Sequence, residues 1–356
     1  MYKKLFIPGP TNIKEDVLQK MATPMISHRT EEASKLQREI SDKLRKLMYT
    51  KNEILLSTSS ACGLMEGTIR SCTRQKAAVF SCGVFGNLWY EMAVGNNISA
   101  DKFETKWGEP ITAELIDQNL ATGKYDLITV THNETSTGVM NPLEDIAQIM
   151  KKYPEVIFCL DTVSSLGGVK IEVDKLGIDI CLASVQKCLA LPPGFSVCSI
   201  SEKALEAAKK VKFRGAYFDL LRLYTYIKKK DYQYPSTPSL SHMFALDYQL
   251  DNIFNEGLKN RFTRHIEVAN YVRCWVKEKF ELFANERFAS NTVTCVKNNK
   301  GININDLNRN LSEKGYIISN GLEEIKDKTF RIGHMGEAKI SDLKGLFFAI
   351  DDILRL

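Results

Sequence analysis

Short apolar runs rich in β-branched residues alternate with amphipathic stretches over about the first 200 residues of this sequence. The runs predict strands at residues 53–56, 77–81, 126–131, 156–160, 178–182 and 196–200. The intervening stretches predict helices; in residues 143–152, for example, the apolar positions share one helical face. Strands that alternate with helices favour an α/β fold with a mostly parallel sheet covered on both sides.

The pattern changes after residue 240. Residues 239–280 are helical in period with an interruption near 255–257, and strands are predicted at 292–296 and 329–332 around a helix at 304–314. This is typical of a smaller α+β domain. The first residues, which include Pro8-Gly9-Pro10, should be extended and cross between the two parts. We therefore expect a large domain over 12–250 and a small domain formed by 1–11 and 251–356.

Composition and cysteine usage indicate the class and compartment of the protein. The hydrophobic fraction of 44% and charged fraction of 26% are ordinary for a soluble globular chain. No apolar tract is long enough for a membrane span, and the apolar stretch after Lys3 and Lys4 is too short for a secretion signal. The nine cysteines form no C-x-x-C pair, which favours a reducing compartment over disulfides or a zinc site. A cytoplasmic protein without a membrane partner is predicted.

The net charge of +5 is mild and dispersed. One basic run, residues 228–230, has tyrosines on both sides and is a candidate nucleic-acid patch. The alternative, a solvated surface turn, is the commoner origin of so short a run. We therefore predict no nucleic-acid partner.

Candidate functional residues follow the predicted strands, because ligands bind at the carboxyl ends of strands in such sheets. The turn at residues 57–63 is rich in small residues and precedes a helix predicted to start near Leu64. Its free N–H groups and the helix dipole suit a phosphate, although such turns are often simple helix caps. Asp161 follows the strand at 156–160, where it is a functional carboxylate or a helix cap.

Lys187 is the most unusual of these residues, because no other charge occurs from Leu182 to Ile200. A lysine in so apolar a setting is unfavourable unless it is paired or functional. Desolvation lowers the pKa of a lysine and makes its free amine a nucleophile that can form a Schiff base. Asp161, at a neighbouring strand end, is the carboxylate that would keep a pyridinium nitrogen protonated.

Five motifs in order along the chain resemble the class V aminotransferases, in particular the alanine–glyoxylate and serine–pyruvate branch. The motifs are Pro8-Gly9-Pro10-Thr11, residues 131–138 (THNETSTG), residues 160–168 (LDTVSSLGG), residues 184–194 (SVQKCLALPPG) and residues 330–336 (FRIGHMG). The resemblance covers essentially the whole chain. It implies fold type I of the pyridoxal-phosphate enzymes, with pyridoxal 5′-phosphate as cofactor.

The resemblance also implies a role for each matched residue. Lys187 corresponds to the Schiff-base lysine, which moves the proton between the substrate Cα and cofactor C4′, and Asp161 to the partner of the pyridinium nitrogen. The expected cofactor-binding residues are Ser60, Ala61 and Cys62 in the phosphate-binding turn, Gln186 near it, Phe85 stacked on the ring, Thr135 near the phenolic oxygen, and Tyr234 and Thr237 from the other subunit of a homodimer with shared active sites. Arg331 corresponds to the arginine that binds the substrate α-carboxylate.

Other interpretations exist for several of these residues. Phe85 would also suit an ordinary position in the hydrophobic core, and Arg331 would also suit an exposed position on a surface strand. His132 and Glu134 suggest a metal site, but two ligands without a third are too few, so no metal is predicted. Arg29 lies either at the substrate entrance or in a surface salt bridge.

The sequence therefore predicts an aminotransferase that moves the amino group of a small amino acid, alanine or serine, to a 2-oxo acid such as glyoxylate or pyruvate. One alternative keeps the cofactor and takes 2-aminoethylphosphonate, phosphoserine or aspartate, with Arg29 as the visible second cation. A lyase of the cysteine-desulfurase type is disfavoured because no cysteine lies between Cys295 and Arg331. A non-enzymatic subunit that kept the fold would have lost its site residues, whereas Lys187, Asp161 and Arg331 are all present. A nucleotide-dependent oxidoreductase is disfavoured because no G-x-G-x-x-G follows the first predicted strand.

Overall fold

The computed structural model describes residues 3–356. Its strands are β1 (Lys4–Leu5), β2 (Glu53–Ser57), β3 (Ala77–Ser81), β4 (Ala100–Glu104), β5 (Leu127–Thr131), β6 (Asn133–Glu134), β7 (Val139–Met140), β8 (Ile157–Asp161), β9 (Ile180–Ser184), β10 (Ser196–Ile200), β11 (Glu281–Leu282), β12 (Val293–Lys297), β13 (Tyr316–Ile317), β14 (Ser319–Asn320) and β15 (Thr329–Gly333). Its helices are α1 (Glu15–Met21), α2 (Glu31–Met48), α3 (Ala61–Cys72), α4 (Val84–Gly95), α5 (Ala113–Leu120), α6 (Leu143–Met150), α7 (Val173–Leu176), α8 (Glu202–Lys209), α9 (Leu220–Lys229), α10 (Leu240–Glu256), α11 (Leu258–Lys279), α12 (Ile304–Glu313) and α13 (Ile340–Leu354).

Seven strands form the main sheet in the order β2-β10-β9-β8-β5-β3-β4. All neighbouring pairs are parallel except those of β10, which runs antiparallel to both β2 and β9. Together with the helices, this confirms the predicted α/β class with a mostly parallel sheet. In this arrangement β5, β8 and β9 lie side by side, so that the loops after them converge at one edge of the sheet.

Side chains alternate between the two faces of this sheet and fill a separate core on each. Ile54 and Ile128 belong to one apolar cluster, whereas their neighbours Leu55 and Leu127 belong to the other. All four are fully buried. Because both faces are covered, the strands read as continuous apolar runs rather than as alternating patterns.

The element bounds differ from the predicted ones in ways that affect the site. Helix α3 begins at Ala61 rather than near Leu64, because the small residues of its first turn carry no hydrophobic period. Phe85 lies in the first turn of α4. Asp161 is the last residue of β8, where it pairs in register with Thr131 of β5.

A second, antiparallel sheet has the order β11-β12-β15-β14 and packs with α11, α12 and α13 around its own apolar core. The N-terminal segment, residues 4–12, begins as a short strand, bends at residues 7–10 and passes from the second sheet to the main one. Its strand β1 pairs with β13, and Thr11 N–H donates to Gln186 O at 3.2 Å beside the main sheet. Gly333 permits this crossing, since a Cβ there would lie 2.1 Å from Ile7 O. The domain boundaries at 11/12 and 250/251 stay a prediction.

Within residues 3–356, the helices are all too short or too polar to cross a lipid bilayer.

Candidate active site

A cavity of about 230 Å³ opens at the carboxyl ends of β5, β8 and β9. Its lining brings together eight of the residues singled out from the sequence: Ser60, Ala61, Cys62, Phe85, Thr135, Asp161, Gln186 and Lys187. These residues come from five separate stretches of the chain. Arg331, Tyr234 and Thr237 are not in direct contact with this cavity.

Lys187 lies in the loop after β9 and is only 9% exposed. Its Nζ donates a hydrogen bond to Pro8 O of the N-terminal segment. Burial, and secondarily the positive charge of Arg331, lower the pKa of the lysine to about 8. Gly9 adopts a φ of +94° against the lysine stem, and a Cβ there would lie 2.6 Å from Lys187 Cδ. With a pKa of about 8, Lys187 is still mostly protonated at pH 7, but its free-amine fraction is far larger than that of an ordinary lysine.

Asp161 is 3% exposed at the end of β8. Its Oδ1 accepts a hydrogen bond from Val163 N–H at 2.8 Å, and no donor for Oδ2 occurs within residues 3–356. Burial raises the pKa of this carboxyl to about 7, and Lys187 opposes the shift only in part. Asp161 is thus a buried carboxyl that would be stabilised as an anion by a cationic partner in the cavity.

The predicted phosphate-binding turn lies at the start of α3. Ser60 is the residue before this 12-residue helix, and its side chain forms no capping hydrogen bond. No acidic residue occupies the first turn, so the positive end of the helix dipole faces the cavity without a competing anion. The free N–H groups beside Ala61 and Cys62 and the free hydroxyl of Ser60 are suitable donors for a phosphate.

Phe85 contributes its ring to the same cavity. Lys187 Nζ lies 5.9 Å from the ring centroid. The backbone N–H groups of Phe85 and Gly86 donate to the carboxylate of Glu134 at 3.3 and 2.9 Å. Glu134 is fully buried and so fixes the start of α4, from which Phe85 projects.

The polar groups beside Asp161 are largely bound to one another. The hydroxyls of Thr135 and Ser164 lie 2.6 Å apart, and Gln186 Oε1 accepts from Ser184 Oγ. His132 Nδ1 lies 2.9 Å from Ser165 Oγ. Because Glu134 serves the helix and His132 bonds a hydroxyl, these two residues have separate structural partners.

Arg331 belongs to β15 of the second sheet and is 6% exposed. Its Nε donates to Asn320 O at 3.0 Å and its Nη1 to Thr135 O at 3.3 Å. No acidic side chain lies within ion-pair distance of it in residues 3–356. Burial lowers the pKa of this guanidinium. A buried cation without an anionic partner, behind Thr135, is suited to a carboxylate ligand.

Tyr234 and Thr237 lie outside this cavity. Tyr234 is buried, and its hydroxyl accepts from Thr58 N–H at 3.3 Å, whereas Thr237 is exposed. Arg29 is exposed and donates to Tyr234 O at 2.6 Å and to Ser236 O at 3.4 Å. It is in neither a salt bridge nor the cavity, so it braces the 234–236 loop.

The structure adds residues that the sequence reasoning did not single out. Pro8 supplies the acceptor for Lys187, and Asn133 lines the cavity with an Oδ1 that has no hydrogen-bond partner in the described chain. Pro8 lies in the Pro8-Gly9-Pro10-Thr11 motif and Asn133 in the motif at residues 131–138, so membership in these motifs was the sequence signal that pointed to them. Asn320 and Arg261 belong to no such motif. Folding alone brings Asn320 O into contact with Arg331 and Arg261 into contact with Cys188 O, next to Lys187.

The fold and site define a pyridoxal-phosphate enzyme of fold type I. Residues 5–333 match the model of the family Aminotransferase class-V, and the chain belongs to this family.

Relatives cover nearly the whole chain. An uncharacterized aminotransferase of Methanocaldococcus jannaschii is 39% identical over 94% of this chain and 88% of its own length. An L-aspartate–glyoxylate aminotransferase of Paracoccus denitrificans is 30% identical over 93% of this chain and 86% of its own. The crystal structure of an alanine–glyoxylate aminotransferase from Nostoc sp. superposes with a TM-score of 0.95 at 28% identity, covering 100% of this chain and 96% of that one. The chain is an aminotransferase.

The cofactor is pyridoxal 5′-phosphate, and the residues present fit it. The unbound hydroxyl of Ser60 stands at a helix N-terminus without acidic residues, as a phosphate requires. Asp161 and the unpartnered Oδ1 of Asn133 both line the cavity. Asp161 would hold the ring nitrogen, Lys187 the aldehyde carbon, and the α3 turn the phosphate.

Proposed function

We propose that this aminotransferase moves the amino group of a small uncharged amino acid, alanine or serine, to a 2-oxo acid such as glyoxylate or pyruvate. The observation that carries this proposal is the combination of a buried lysine of lowered pKa with a buried arginine that has no acidic partner. The first group suits chemistry at an amine, and the second suits recognition of an α-carboxylate.

Lys187 would hold the aldehyde carbon of the cofactor through Nζ, and as a free amine it is placed to act as the base of the site. When bound, the cofactor supplies an electron sink for the bond that breaks at the donor Cα. Nζ of Lys187, whose pKa is about 8, would as a free amine take the proton from that Cα and deliver it on the same face to C4′ of the cofactor, so that the amino group stays with the cofactor. Pro8 O, which accepts from Nζ, orients the free amine during this transfer.

Asp161 and Arg331 orient the reactants. The ionised carboxylate of Asp161 would accept the ring N–H of the cofactor and so keep the ring protonated. The guanidinium of Arg331 binds the donor carboxylate at two points and fixes the direction of its Cα–H bond. Phe85, which lines the cavity, would cover one face of the cofactor ring and exclude water from it.

The cavity favours a small, uncharged donor side chain. Its volume is about 230 Å³, and Lys187 is the one cationic side chain among its lining residues. A donor with a distal carboxylate or phosphonate needs a second cation. Arg29, the candidate from the sequence, is exposed and donates to loop carbonyls. Aspartate remains the competing donor, since the Paracoccus relative is named for it.

A desulfurase is disfavoured by the state of Cys295. This thiol is 2% exposed in β12, where it pairs in register with Arg331. Burial raises its pKa to about 12, so the reactive thiolate is scarce at neutral pH.

We further infer a homodimer with shared active sites and a cytoplasmic location. Thr237 is exposed on the loop that also carries Tyr234, and neither contacts the cavity of its own chain. Thr237 is therefore accessible to a second copy of the chain, whereas Tyr234, which is 3% exposed, would have to reach the partner's site through the movement of this loop on dimer formation. All nine cysteines are free thiols, which suits a reducing compartment.

A donor panel tests the substrate proposal. Purified protein with bound cofactor is mixed singly with alanine, serine, aspartate, phosphoserine and 2-aminoethylphosphonate, and loss of the visible cofactor band is followed. Alanine or serine should react fastest, and the product is then offered glyoxylate or pyruvate. Fastest reaction with an acidic donor would replace the proposal by its alternative.

Lys187→Ala is the control for the chemistry, since it removes the amine without adding bulk. Reduction with borohydride should fix the cofactor to a Lys187 peptide in the wild type and to no peptide in the variant. A labelled peptide elsewhere would refute the assignment of Lys187.

A further inference from the structure

We propose that Arg261 is a positioning residue that holds the loop of Lys187 against the loop that follows Asp161. This inference rests on the proposed function, because it gives Arg261 its importance through the lysine. Arg261 lies on α11 and is 1% exposed, a rare environment for a guanidinium. It does not line the cavity.

One edge of the guanidinium binds the backbone of both loops. Nε donates to Gly167 O at 2.8 Å, and Nη2 donates to Cys188 O at 2.7 Å. Gly167 lies in the loop after β8, and Cys188 directly follows Lys187. The planar fork thus fixes the separation of two loops that carry the carboxylate and the amine of the site.

The other end of the guanidinium is neutralised by two carboxylates. Nη1 donates to Glu256 Oε2 at 2.7 Å and to Glu337 Oε1 at 3.1 Å. Although burial opposes ionisation of Glu337, Arg261 and Lys14 lower its pKa to about 2. Glu337 is therefore an anion throughout the neutral range, and the buried Arg261 stays charged and paired.

Glu337 extends this connection to the third site group. It lies six residues after Arg331, on the segment that leaves β15. Arg261 consequently contacts the segments that carry Asp161, Lys187 and Arg331. An error of about 1 Å in the placement of such groups costs up to about 100-fold in rate.

Arg261→Lys keeps the charge but removes the fork, and Arg264→Lys is the matched control. Arg264 lies one turn along the same helix and shares Glu256, but its other bonds go to Gly336 O and Ala338 O. Because a lysine ammonium lacks the planar fork, it cannot reproduce the paired bonds to both loop carbonyls.

The first readout uses cofactor-free protein and the pH dependence of acetylation at Lys187, followed by peptide mass. The wild-type midpoint is expected near 8. Arg261→Lys should move it upward by about one pH unit, because a displaced lysine is better solvated. Arg264→Lys should leave it in place. Equal midpoints in all three proteins would overturn the proposal, whatever reaction the protein catalyses.

The second readout is steady-state kinetics with the donor that the panel identifies. Arg261→Lys should lower kcat by about 10–100-fold with a small change in KM, whereas Arg264→Lys should lower it by less than about 3-fold. If Arg261→Lys does not fold, Glu337→Gln replaces it and should move the acetylation midpoint in the same direction. Equal losses of kcat in the two arginine variants would show that Arg261 stabilises the fold without positioning Lys187, and would overturn the proposal.

Discussion

Arg331 Nη1 donates to Thr135 O at 3.3 Å and so joins a strand of the second sheet to a loop of the main one. The guanidinium is held by two backbone carbonyls and has no acidic partner in the described chain. Its direction is therefore set before a substrate arrives, while its charge is left for an anionic ligand.

Arg331→Lys should weaken donor binding. The lysine keeps the charge but loses the bidentate fork, and charge-assisted hydrogen bonds contribute about 1.5–3 kcal/mol each. A rise of about 10–100-fold in the apparent dissociation constant is expected from titration of the cofactor band with donor. Arg309→Lys, at an exposed position paired with Asp306, is the control. Unchanged donor affinity would exclude Arg331 from carboxylate binding.

Asp161→Asn should stabilise the cofactor-free protein at pH 8. The pKa of Asp161 rises from 3.8 to about 7 on folding, so the folded chain binds more protons than the unfolded chain between these values. The free energy of unfolding therefore falls as pH rises through this window, by on the order of 1.4 kcal/mol per pKa unit. Removal of the charge should restore a few kcal/mol at pH 8 and little near pH 4.

Urea unfolding of wild type and variant at both pH values measures this effect. The loaded proteins should show the opposite order, because Asn cannot supply the anion that holds a protonated ring nitrogen. If the cofactor-free Asp161→Asn variant is less stable than the wild type at pH 8, the ionised carboxylate of Asp161 does not destabilise the folded protein, contrary to this prediction.

Mixed dimers test whether Tyr234 and Thr237 serve the site of the partner. One parent is Lys187→Ala, and the other carries Tyr234→Phe with Thr237→Val. In a mixed dimer one site combines an intact Lys187 with intact Tyr234 and Thr237 from the other copy. Tandem-tag purification of co-expressed parents should yield about half of the wild-type activity per dimer. If the mixed dimer is no more active than the double-variant parent, Tyr234 and Thr237 do not contribute to the active site of the partner subunit.

The order of the strands and helices and the main candidate site residues can be predicted from the sequence, because both are recognised from residues that are neighbours along the chain. The apolar runs around Leu55 and Leu127 predict strands because the side chains on both faces are buried. Lys187 is conspicuous because its neighbours along the chain are apolar, and Asp161 because it ends such a run. The strand ends then meet because parallel strands place their carboxyl ends at one edge.

The exact starts of helices were less predictable. Hydrophobic periodicity begins only at Leu64, whereas α3 begins at Ala61, since its N-terminus is set by the extended backbone of Ser60. The antiparallel direction of β10 is likewise invisible in its composition, because a buried central strand has the same apolar residues in either direction.

The sequence by itself thus determined the fold class and the family, and it singled out Lys187 and Asp161 as candidate site residues, which the structure places in one cavity. Only the tertiary structure decided what each group touches: Pro8 O accepts from Lys187, Glu134 fixes the helix of Phe85, and Arg261 joins two loops that precede it by 94 and 73 residues. The reason is physical. Strand and helix patterns record which face of a segment is buried, whereas hydrogen bonds between distant segments depend on how those faces are packed together.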